Sequence, residues 1–237
     1  MNYLFQKILI SLVLAFGVFL YASAQLAINS SEVFPSLKYQ HVSGSPVYYP
    51  YVQVQGSAYL SEGWETGIIM LTDGEIIEPA GIKLDIHSHE VVIYHKILGY
   101  QVKLDRENIQ SIVLNTSGTQ ITFEFVPLKL VRLPDTKVLL GEQLAEGKIQ
   151  FYKVMYKEII PSDKPTPPQI DKFYTRKNYA LSYADNYNWI ALRKRSIVKQ
   201  FPSRKEDINT IIREKKLRVK EEKDFIELIH ALNQMPD

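Results

Sequence analysis

Apolar and polar residues alternate with a period of two through the middle of the chain, and the period lengthens to that of a helix only near its end. Residues 68–71 and 76–77 are apolar runs on either side of Thr72, Asp73, Gly74 and Glu75. Asp-Gly between apolar runs predicts a tight hairpin, because both turn residues tolerate positive φ. Ile82, Leu84 and Ile86 alternate with Lys83, Asp85 and His87, the pattern of a strand with one buried face. The polar step 87–90 turns the chain into a strand over 91–96, and Leu98, Gly99 and Tyr100 lead to another ending near Leu104. Residues 109–114 and 119–126 flank a turn at 115–118; in the second run Ile121, Phe123 and Phe125 alternate with Gln120, Thr122 and Glu124. Residues 138–144 and 149–160 predict one more hairpin around Glu146 and Gly147.

Prolines at 161, 165, 167 and 168 then interrupt the strands. Proline fixes φ and donates no backbone hydrogen bond, so 161–171 reads as an extended connector. A last hairpin is expected from 173–184 and 189–192, turned at 185–188. Phe201, Pro202 and Ser203 offer a helix start, and Ile208, Ile211 and Ile212 fall on one helical face up to about Lys216. A second helix over about 221–233 buries Phe225, Leu228, Ile229 and Leu232, with Glu221, Glu222 and Asp224 near its positive end. The expected fold is mainly β, in the α+β class: an antiparallel meander over 56–160 curled into a roll, barrel or sandwich, then a hairpin and a helical pair over 172–237 packed on it.

The N-terminus reads as an address. Lys7 precedes an apolar run over 8–20, followed by Tyr21, Ala22, Ser23, Ala24 and Gln25, with small residues where a signal peptidase reads. The run is too short to span a bilayer, which takes about 20 residues. We therefore expect a signal peptide over 1–24, export to the periplasm or beyond, and an extended, turn-rich lead-in over 25–55. No later stretch is long and apolar enough to span as a helix.

The chain has 237 residues, a formal net charge of +2 and no cysteine. The missing thiols exclude disulfides, CxxC redox chemistry, thiolate zinc sites, a Cys nucleophile and a lipoprotein anchor. A chain of this size buries enough surface to fold without such staples.

Gly56, Ser57, Ala58, Tyr59 and Leu60, then Trp64 and Gly67 before a hairpin, then 82–88, form an ordered set of short motifs. With 199–205, the run 215–220 and the Ala24-Gln25 junction, the chain resembles an uncharacterised exported family of Bacteroidota. Ala231, Leu232 and Asn233 stand where that pattern leads one to expect an aromatic residue. The resemblance implies an exported, mostly β protein with a helical tail, and brings no catalytic residues.

Candidate chemistry is sparse. Asp85, His87 and His89 share parity and His95 lies beyond the turn, so the four are weak candidates for a metal; the competing reading is the polar face and tip of a hairpin. There is no Gly-x-Ser-x-Gly elbow, His-Glu-x-x-His or phosphate loop, and no cofactor is called for. From Arg193 to Lys223, twelve Lys and Arg stand against five acids, a net of +7. Export and the lack of interleaved aromatics argue against nucleic acid as the partner. Arg193, Lys194, Arg195, Lys199, Lys215 and Lys216 are instead candidates for a face meeting an acidic envelope protein or an anionic surface, against the plainer reading of a solvated helical side. Fifteen tyrosines suit half-exposed strands as well as interfaces. The leading expectation is a non-enzymatic envelope protein acting through surface contacts. The alternatives are a carrier of a lipid or small apolar molecule inside a curled sheet, and a hydrolase or metal-dependent enzyme.

Overall fold

The computed structural model describes residues 44–47, 51, 53–95, 99–130, 138–162 and 170–236. The expected signal peptide and most of the proline connector lie outside the described residues. By contact the chain divides after Val42, and everything described belongs to the unit Ser43–Asp237.

Among the described residues the strands, in chain order, are β1 (Gly44–Pro46), β2 (Val54–Gln55), β3 (Thr66–Leu71), β4 (Ile76–Ile77), β5 (Ile82–Asp85), β6 (Glu90–His95), β7 (Tyr100–Leu104), β8 (Ile109–Thr116), β9 (Thr119–Val126), β10 (Leu139–Ala145), β11 (Ile149–Ile160), β12 (Asp171–Tyr183) and β13 (Asn186–Ile190). Three α-helices follow: α1 (Lys194–Gln200), α2 (Lys205–Glu214) and α3 (Glu222–Gln234). The fold is mainly β with a C-terminal helical layer. The strands form a large sheet in the order β13-β12-β11-β10-β9-β8-β3-β4 and a small one in the order β1-β7-β6-β5. The large sheet does not close into a barrel. Pairing is antiparallel except for β2, which runs parallel to the start of β12 through Val54 and Asp171.

Alternation decides which side of each strand is buried. In the small sheet Ile82, Leu84, Val91, Ile93 and Leu104 are buried, while Lys83, Tyr94 and Lys103 face away. In the large sheet the two sides of β11 divide the core. Ile149 and Phe151 join Tyr179, Leu181 and Ile190 beneath the helices, and Tyr152, Val154 and Tyr156 pack on the other side with Leu130, Val126 and Ala180. Ile69, Ile77, Ile82, Ile112 and Leu139 have no accessible surface, so the chain itself fills the space around them.

The structure departs from expectation at three places. Strands β1 and β2 fall within the expected lead-in. The last hairpin turns at Ala184 and Asp185, both at positive φ, so that β13 starts at Asn186 and not at 189. Trp189 sets that register: its ring packs with the Val126, Tyr152 and Ala180 cluster and its Nε1–H donates to the Lys129 carbonyl at 3.2 Å. Finally, α1 precedes the expected helix start at 201, so there are three α-helices among the described C-terminal residues. Only Ile197 of α1 is buried, too little apolar periodicity to reveal a helix in sequence.

Candidate functional site

The hairpin joining β5 to β6 carries the histidines and docks on the large sheet. At Lys157 the neighbouring strand β10 has already ended, and the hairpin tip takes its place. The Lys157 N–H donates to the Ile86 carbonyl at 3.0 Å, and His87 donates Nδ1–H to the Lys157 carbonyl at 2.7 Å. The Lys157 ammonium then reaches back to the carbonyls of Ser57 at 2.7 Å and Tyr59 at 2.5 Å. Burial lowers the pKa of this lysine, opposed by the Asp85 charge.

Shared parity does not bring Asp85, His87 and His89 together. Strand β5 ends at Asp85, and the tip that follows sends each side chain to a different task. Asp85 Oδ1 accepts the N–H groups of His87 at 2.8 Å and Ser88 at 2.9 Å, tightening the turn. Burial pushes its carboxyl up, against the pull of these two bonds. His87 sits among the rings of Tyr51 at 5.2 Å and Phe173 at 5.5 Å. His89, at φ +55°, enters the interior, where its Nδ1 accepts the Leu140 N–H at 3.0 Å. The two imidazoles therefore use Nδ1 in opposite senses: His87 donates from it, whereas His89 accepts at it and carries its proton at Nε2. His89 is fully buried, and burial with Arg106 and His87 nearby drives its pKa down to about 3, so it stays neutral. Its Nε2 meets no hydrogen-bond partner among the described residues. His95 ends β6, paired with Tyr100 on β7, away from this tip. No group of three or more potential metal ligands converges among the described residues.

The basic stretch has a clearer arrangement. Ile197, Phe201, Ile208, Ile211, Phe225, Leu228, Ile229 and Leu232 turn inward onto the sheet. Arg193, Lys194, Arg195, Lys199, Lys215 and Lys216 are all exposed. Lys215 is tied to Glu227 at 2.9 Å, whereas the other five make no ion pair with a described residue. The layer is fixed to the sheet by Glu222, which accepts the Tyr179 hydroxyl at 2.6 Å and lies 3.4 Å from the Lys153 ammonium. Burial alone would raise the Glu222 carboxyl; Tyr179 and Lys153 outweigh it and hold the pKa below the usual value.

Sequence reasoning did not single out Lys157 or Asn233, because each acts on backbone groups distant in sequence.

No family model, curated protein or solved structure matches this chain. Among the described residues no helix is long and apolar enough to cross a membrane.

Proposed function

We propose that this is an exported bacterial envelope protein, of the Bacteroidota kind it resembles, which acts by binding and docks on an anionic surface through the outward side of its helical layer. The observation that carries this reading is the sorting of the helices into an apolar side on the sheet and exposed cations at 193, 194, 195, 199 and 216 outside. Lys194 and Arg195 stand in the first turn of α1 with no acid beside them. Positive charge there opposes the helix dipole, so local stability does not account for it. Lysines outnumber arginines over 193–223, and the sole aromatic residue of that stretch, Phe201, is buried. Protein interfaces are depleted in Lys and enriched in aromatics, whereas charged headgroups attract lysine without needing an apolar anchor.

Binding to vesicles containing phosphatidylglycerol, absent on pure phosphatidylcholine and lost at about 1 M salt, where the screening length falls to about 3 Å, is the expected result. Equal binding to neutral and anionic vesicles, or to neither, would contradict the reading. Asp85 Oδ1, His87 Nδ1 and His89 Nδ1 each bond to backbone groups, which favours a structural role for the histidine hairpin over a catalytic one.

A further inference from the structure

Beyond the helical layer, the tip of the β12–β13 hairpin and the end of α1 enclose a pocket of about 160 Å³. Its walls are Leu181, Tyr183, Asn186, Asn188, Gln200 and Phe201. Antiparallel register puts Tyr183 opposite Asn186 and Leu181 opposite Asn188, so these four side chains lie on the sheet side that the helices cover further along. Leu181 and Phe201 are buried; Tyr183 is 44% exposed and meets the Phe201 ring edge-on at 5.3 Å.

The lining contains no charged side chain. It contains three carboxamides, each able to donate and accept. Those of Asn188 and Gln200 make no hydrogen bond with a described residue. Asn186 Nδ2 donates to the Ala184 carbonyl at 2.8 Å, and its oxygen is not taken by any described residue. The turn that holds this arrangement puts Ala184 and Asp185 at φ +49° and +59°, the left-handed region, which strains an alanine more than an aspartate or asparagine. One step further along, Asp185-Asn186 would place in the left-handed region the asparagine that tolerates it better. The register packed in place by Trp189 instead keeps Asn186 in the strand, with its amide on the pocket.

We propose that this pocket binds a neutral saccharide, separately from the basic side. A pyranose ring has an apolar C–H face that suits the exposed Tyr183 ring, and hydroxyls that each donate and accept, which suits carboxamides. An anionic ligand would call for a cation in the lining, and a purely apolar one would cover the carboxamides of Asn188 and Gln200 without giving them a partner.

The test is titration of the 15N-labelled full mature chain with glucose, galactose, mannose and N-acetylglucosamine, following the side-chain amide signals of Asn186, Asn188 and Gln200. The expected result is saturable shifts with at least one sugar, unaffected by high salt. Affinity should fall about tenfold or more in Tyr183→Ala and in Asn188→Ala, and little in Tyr183→Phe, which keeps the ring. Both positions are exposed, and unchanged unfolding midpoints show that the variants fold. Shifts that persist in Tyr183→Ala, or no saturable shift with any of the four sugars, would overturn the proposal.

Discussion

The side-chain amide of Asn233 pairs with the main chain of Ile149 as a neighbouring strand would: Oδ1 accepts the Ile149 N–H at 2.8 Å, and Nδ2 donates to the Ile149 carbonyl at 2.8 Å. Nδ2 also donates to the Glu146 carbonyl at 3.1 Å, so the last helix closes the β10–β11 turn. Gly147, at φ +135°, lies beneath this contact, where a Cβ would come within 2.6 Å of the Asn233 amide nitrogen. Because Ile149 is buried, Asn233→Ala leaves its N–H without a partner. It should lower the unfolding free energy by about 1–3 kcal/mol, read as a lower urea midpoint at unchanged slope. An unchanged midpoint would mean that water replaces the amide at no cost.

His89 should make stability depend on pH. Its folded pKa of about 3 lies below the unfolded value of about 6.5. The unfolded chain therefore takes up the proton first as pH falls. Its contribution is complete above about pH 6.5 and is lost towards about pH 3, by about 1.4 kcal/mol for each unit crossed. Asp85, whose folded pKa is raised, acts in the opposite sense at the acid end. His89→Asn keeps a residue that tolerates positive φ and an acceptor for Leu140, but does not titrate. Between about pH 6 and pH 4 the wild type should lose stability more steeply than this variant. Parallel curves would contradict the buried neutral imidazole.

Gly74 stands at φ +88° with nothing within 4 Å of a built Cβ, so substitution there tests backbone strain alone. The turn is closed by Gly74 N–H to the Leu71 carbonyl at 3.0 Å and Leu71 N–H to the Glu75 carbonyl at 2.8 Å. Gly74→Val should destabilise by about 1–3 kcal/mol in urea unfolding. No change would place the turn in a different conformation.

Lys157→Met removes the ammonium that links β11 to the Ser57 and Tyr59 carbonyls. The loss should reach about 1–3 kcal/mol. It should appear first as faster hydrogen exchange at Leu60, whose N–H donates to the Leu84 carbonyl at 2.8 Å beside that link. Unchanged exchange at Leu60 would show that the ammonium does not hold this segment.

Elements built on local pattern were legible in the sequence. Asp73-Gly74, the alternation at 82, 84 and 86, and the apolar stripe of Phe225, Leu228, Ile229 and Leu232 all specify their structure within a few residues. What depends on distant packing was not. The β12–β13 turn falls at Ala184 where Trp189, paired with Ala180, packs on the far side of the sheet with Val126 and Tyr152, both more than thirty positions earlier in the chain. Equal parity at Asp85, His87 and His89 left a metal site and a polar hairpin tip both open; β5 stops at Asp85, and the tip is shaped by the Leu140 N–H on β10 and the Lys157 carbonyl on β11, which no local pattern announces. The exposed side of the basic stretch was readable as charge. That Glu227 takes up Lys215 was not, because the pairing follows from the packing of α2 against α3.

Vesicle sedimentation of a Lys194→Gln, Arg195→Gln, Lys199→Gln, Lys216→Gln variant tests docking through the helical layer most directly. Lys215 is left in place, since Glu227 already neutralises it. The variant should keep the wild-type urea midpoint, because the four side chains are exposed and make no ion pair with a described residue. It should lose most binding to phosphatidylglycerol vesicles at about 0.15 M salt, where charges within about 8 Å still act on one another. Binding equal to wild type, by a variant folded as wild type is, would contradict docking through this side of the protein.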